Sequence, residues 1–93
     1  MRIKKYANNQ FIINTNDEII FASYESIIAI LKNGVLTLGN DWDYSKTTLK
    51  YLYKFLNDYF ISEEIDEAMQ KANKKEALQK LIDNNKIIFD KSL

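Results

Sequence analysis

The chain has 93 residues with no cysteine and no histidine, which excludes disulfides, thiolate zinc sites and the Ser–His or Cys–His pairs of nucleophilic catalysis. Thirteen basic residues balance thirteen acidic ones, so the charge argues against a basic nucleic-acid arm and, through weak colloidal repulsion, favours a homodimer. Apolar residues make up 46% and aromatic residues 13%, enough for one folded domain over 1–93, and no apolar run approaches the ~18 residues of a membrane span.

The first forty residues read as strands. Met1-Arg2-Ile3-Lys4-Lys5-Tyr6 is basic, but no uninterrupted apolar run follows, so it does not read as a secretion signal. Residues 2–6 are instead a candidate edge strand. Gln10-Phe11-Ile12-Ile13-Asn14 and residues 18–24 are short, β-branched runs separated by the turn cluster Asn14-Thr15-Asn16-Asp17, which predicts a hairpin. Ser26-Ile27-Ile28-Ala29-Ile30-Leu31-Lys32 is a third strand, and Val35-Leu36-Thr37-Leu38 a fourth. Between them Asn33-Gly34 is the dipeptide of a two-residue turn with φ > 0 at both positions. That turn sets a register with Lys32 opposite Val35 and Ala29 opposite Leu38. One face then carries Ile27, Ala29, Leu31, Leu36 and Leu38, assigned to the core. The other carries Ile28, Ile30, Lys32, Val35 and Thr37, either an exposed apolar patch or a covered one.

Asp41-Trp42-Asp43-Tyr44-Ser45-Lys46-Thr47-Thr48 turns the sheet into a helix that runs to Phe60, with Ser45 or Asp43 as its cap. Leu49, Leu52, Tyr53, Leu56 and Phe60 share one helical face, expected to lie on the sheet. Thr48, Tyr51, Phe55 and Tyr59 widen the apolar arc beyond what one sheet can cover, so the helix must also touch the later helices or a partner. Tyr51 and Phe55 are therefore candidate interaction residues. Lys46, Lys50 and Lys54 form a basic stripe, read either as solvated surface or as a phosphate or nucleic-acid contact. Trp42 and Tyr44 either pack the corner or form an interaction hot spot. Asp41 and Asp43 suit the helix dipole; as a catalytic or metal pair they lack a third ligand and a cleft.

Ser62-Glu63-Glu64 starts a second helix with the weak apolar stripe Ile61, Ile65, Ala68, Met69 and Ala72. Its acids Glu63, Glu64, Asp66 and Glu67 are either solvated or face a basic partner such as a nucleic-acid-binding groove. Asn73 interrupts; a run over 74–84 continues or restarts the helix with Ala77, Leu78, Leu81 and Ile82 on one side. Ile87-Ile88-Phe89 could add a strand at a sheet edge. The expected architecture is α+β: a small antiparallel sheet of four strands, possibly five, then a long helix and one or two C-terminal helices. Strands occupy about 1–40, helices about 45–85, and a short strand 87–89.

Ser23-Tyr24, Ile28-Ala29, Trp42-Asp43-Tyr44-Ser45 with Thr47-Thr48, and Phe55-Leu56 together resemble a pattern found in short uncharacterised proteins of phages and plasmids. The resemblance spans about 21–56, its Trp-to-Thr segment being the most specific part. It carries no catalytic residue or cofactor, and none is expected. By analogy with small phage proteins that act against host defences, anti-CRISPR proteins among them, it implies a non-enzymatic inhibitor in the host cytoplasm. Such a protein would bind a host protein or ribonucleoprotein complex. The alternatives are a nucleic-acid or nucleotide-binding module on Lys46, Lys50 and Lys54, and a self-associating structural protein.

Overall fold

A computed structural model describes residues 2–60, 63–71 and 73–93. Five strands form an antiparallel meander: β1 (Arg2–Ala7), β2 (Gln10–Asn14), β3 (Glu18–Ser23), β4 (Ser26–Lys32) and β5 (Val35–Gly39). Three helices follow, α1 (Lys46–Tyr59), α2 (Glu63–Met69) and α3 (Lys74–Asp83). The chain then returns to the sheet as β6 (Ile88–Asp90), parallel to β5. The α+β expectation holds. Both optional strands form, so the sheet has six strands, and it is not wholly antiparallel. A connection between neighbouring parallel strands must cross one face of the sheet. All three helices lie within that connection, so they cover one face and leave the other to solvent.

Asn33 and Gly34 both take positive φ, 53° and 76°, and β4 pairs with β5 in the register that their turn demands. The face assignment needs one correction. Phe21 opposes Ala29, but Ala22 opposes Ile27, so Ile28 is an extra residue on β4. A bulge of this kind reverses side-chain parity beyond it. Ile28 therefore enters the core and Ile27 is exposed.

The helix face is also rotated from the expected one. Thr48, Leu52, Phe55 and Leu56 are the buried residues of α1, while Leu49, Tyr53 and Phe60 are only half-buried. Phe55 stacks on Phe21 of β3, with ring centroids 5.9 Å apart and planes at 23°. The Tyr51 ring lies 6.1 Å from that of Tyr6 on β1. Each buried Phe or Leu on this line contributes ~1.5–3 kcal/mol of apolar burial. The half-buried flank meets the later helices, where Lys74 of α3 stands 5.9 Å from the Tyr53 ring centre.

Asn73 caps α3 by accepting from the Glu76 amide at 3.1 Å, so the third helix is a restart and not a continuation. Ile65, Ala68 and Leu78 of α2 and α3 are buried. Ile61, Ser62 and Ala72, named above for the second helix, lie outside the described residues, as does the Glu64 side chain. Among the described residues, no helix is long and apolar enough to cross a membrane.

Candidate functional site

At one end of the sheet the β1–β2 turn, the β3–β4 turn and the start of α1 converge on a cleft of about 370 Å³. Its lining is Asn9, Ser23, Tyr24, Glu25, Ser26, Ile28, Asp41, Tyr44 and Thr48. Three elements build it. Asn9 and Tyr24 sit at the turn tips with φ of 63° and 57°, and the Tyr24 amide donates to the Asn9 carbonyl at 2.7 Å. Left-handed backbone is common for Asn and costly for Tyr, by roughly 1–2 kcal/mol. Strain of this sort persists where surrounding structure enforces it, and it gathers at functional sites.

The floor is a run of hydroxyls. Ser45 caps α1: its Oγ accepts from the Thr48 amide at 3.1 Å and donates to Thr48 Oγ1 at 3.2 Å. Thr48 Oγ1 lies 3.0 Å from Ser23 Oγ, and both residues are buried. Gln10 pairs with Ser23 across β2 and β3, is wholly buried, and finds no hydrogen-bond partner for either amide atom among the described residues.

The wall comes from the loop after β5. The Trp42 amide donates to the Gly39 carbonyl at 3.2 Å and the Tyr44 amide to the Asp41 carbonyl at 3.0 Å, so the loop is tightly wound. Asp41 Oδ2 accepts from Ser26 Oγ at 2.9 Å. At the mouth, the Tyr24 and Tyr44 rings stand 6.1 Å apart at 59°, exposed by 47% and 68%. The lining thus combines two carboxylates, Glu25 and Asp41, with hydroxyls and aromatic faces, and includes no basic side chain. Chemically it can hold a positive charge and exchange hydrogen bonds. A hydroxyl without a neighbouring base is a poor nucleophile, and among the described residues Ser23 and Thr48 bond to hydroxyl and backbone groups. No cluster of three metal-ligating side chains occurs among the described residues.

Of the interaction candidates read from the sequence, Tyr44 alone among the described residues reaches the cleft; Asp41, set aside there for want of a cleft, also lines it. Trp42 is buried beneath the loop it belongs to, so it packs the corner and offers no surface. Phe55 is wholly buried and Tyr51 half-buried, both covered by the sheet through Phe21 and Tyr6. Neither is the open interaction flank expected of it. Glu63, Asp66 and Glu67 are exposed on α2. Lys46, Lys50 and Lys54 are exposed on α1. Lys50 lies 5.4 Å from its neighbour's Tyr51 ring centre, and Lys54 pairs with Asp58 at 3.5 Å and lies 5.1 Å from the Tyr6 ring centre. Asp41 and Asp43 precede the Ser45 cap and lie outside the first turn of α1; Asp41 binds Ser26 and Asp43 pairs with Lys75 at 3.3 Å. The residues missed were Asn9, Gln10, Glu25 and Ser26, whose only signal was position in two short turns, and Ser23, Tyr24 and Thr48, which were named without being read as site residues.

The model of a family of unknown function, DUF8033, matches residues 2–79, and the chain belongs to that family. The whole lining of the cleft falls within the match. No curated protein and no solved structure matches the chain.

Proposed function

We propose that this member of DUF8033 is a non-enzymatic binding protein whose cleft receives a cationic side chain, Arg or Lys, of a partner protein. The supporting observation is the pairing of two exposed tyrosine rings with Asp41 and Glu25 around a cleft whose lining includes no base. A cation over exposed aromatic faces gains ~0.5–1 kcal/mol, rising to about 2 when desolvated. A carboxylate already oriented by Ser26 adds a charge-assisted hydrogen bond. The exposed acids Glu63, Asp66 and Glu67 favour the same kind of partner.

For the biological setting we propose a phage or other mobile element, with a host defence complex as the target. That part rests on the resemblance of Ser23-Tyr24 and Trp42-Asp43-Tyr44-Ser45 to phage and plasmid proteins; of these residues Ser23, Tyr24 and Tyr44 line the cleft. Blocking a basic, nucleic-acid-binding groove by protein contact would need no catalysis. The nucleic-acid reading of the chain has less support, because Lys50 and Lys54 are engaged by rings and by Asp58 of their own chain.

The test is an infection assay in hosts carrying a defined defence system, with wild type and a Tyr24→Ala/Tyr44→Ala double variant. Wild type should protect the phage and the double variant should not, while both keep the same circular-dichroism spectrum. Equal protection by the two would remove the cleft from the function; no protection by either, across defence systems, would remove the setting.

A further inference from the structure

We infer that the chain forms a two-fold dimer through the sheet face opposite the helices. Its middle row is apolar but for one threonine, and charged residues stand in the rows on either side. Ile3, Ile13, Ile20, Ile30, Thr37 and Ile88 stand in one row across all six strands, each opposite the next. Ile12, Phe21, Ala29 and Leu38 on the helix-covered side are wholly buried, whereas Ile3 is exposed by 63% and Ile88 by 51%, with Ile13, Ile20, Ile30 and Thr37 between them half-buried. Six strands at ~4.8 Å spacing and ~3.3 Å per residue give a face of roughly 450–500 Å² per copy. That is the size of the largest patch on a typical monomer, ~300–600 Å². Doubled, it comes to roughly 900–1,000 Å², at the ~1,000 Å² lower bound of a specific interface.

The charges on this face say what covers it. Glu18 and Lys32 are neighbours across β3 and β4, on the same side as Ile20 and Ile30. Lys5 lies on β1 and Asp90 on β6, at the opposite edges of the next row. A two-fold axis running along the strands between β3 and β4 exchanges β3 with β4 and β1 with β6. It keeps every residue in its row. Each Glu18 then faces the second copy's Lys32, each Lys5 faces the second copy's Asp90, and Ile20 meets Ile30. Lys32 would sit between its own Asp17, 3.4 Å away, and that carboxylate. An unrelated partner would have to reproduce this alternation; a second copy supplies it by symmetry. Aligned sheet-on-sheet packing at ~10 Å accommodates such a pairing.

The test is sedimentation equilibrium on the full chain. Wild type should run at twice its 11.0 kDa mass, and Ile20→Lys, on the exposed face, should run as a folded monomer. The decisive arm uses Glu18→Lys and Lys32→Glu as separate proteins. Each alone places like charges across the axis and should raise the dissociation constant by about tenfold or more. Mixed one to one, they should recover wild-type affinity as a heterodimer, a rescue that contacts within one chain cannot mimic. Wild type that stays monomeric at its highest soluble concentration overturns the dimer. A dimer indifferent to Ile20→Lys, or a mixture no tighter than its components, overturns this face and axis.

Discussion

Gln10 shows at the scale of one residue how the cleft departs from ordinary packing. A buried amide with neither atom bonded costs ~1–3 kcal/mol, and neither atom of the Gln10 amide, opposite Ser23 on β3, is bonded among the described residues. Gln10→Met removes the polar group at similar volume and should raise stability by about 1 kcal/mol, a rise in Tm of roughly 4–8 °C in a domain of this size. A drop in Tm in calorimetry would mean that the amide is bonded in solution. Gly39 carries the opposite constraint. Its φ is not positive, but a Cβ there would run into the Ile27 carbonyl oxygen and the Leu93 side chain. Backbone cannot yield as a side-chain tip can, so Gly39→Ala should cost ~1–3 kcal/mol in denaturant unfolding. An unchanged midpoint would contradict this close approach.

At the scale of elements, α1 is tied to the sheet edge by one polar contact as well as by its apolar face. Tyr6 Oη donates to Asp58 Oδ2 at 2.8 Å. Burial, and then this bond to a carboxylate, hold the Tyr6 phenol well above its ordinary value of 10.0. Burial raises Tyr53 as well. Above pH about 10 the unfolded chain releases the Tyr6 proton while the fold keeps it, so stability falls as pH climbs toward the folded value. Tyr6→Phe should cost ~0.5–1.5 kcal/mol at neutral pH and make the alkaline decline shallower. An alkaline limb as steep as wild type, measured by urea unfolding across pH, would show that the decline arises elsewhere.

These elements also show what the amino-acid order discloses. Asn33-Gly34 set the register of β4 and β5, because only a turn with two positive φ angles fits there. The bulge at Ile28 was hidden, since Ile27 and Ile28 are equally apolar and alternation cannot tell which one turns inward. The rotation of α1 was hidden by an apolar arc so wide that several orientations satisfy it. The cleft was hidden for a third reason. Its parts come from turns far apart in the chain, and the backbone of Tyr24 depends on the tertiary bond to Asn9.

The whole molecule has two distinct surfaces because its three helices lie between neighbouring parallel strands. One face of the sheet is sealed and ends in an acidic, aromatic-rimmed cleft; the other is an open row of β-branched residues. The two do not overlap, so a dimer through the open face would leave two clefts free and could raise avidity for a repetitive basic partner. The binding claim depends on charge at the cleft. A calorimetric titration of the protein with a short peptide bearing arginine, beside the same peptide with neutral, nearly isosteric citrulline, separates charge recognition from shape. Arginine should bind at least about tenfold more tightly, a preference lost in Asp41→Asn. Equal binding of the two peptides, or of neither, would contradict a cation-receiving cleft.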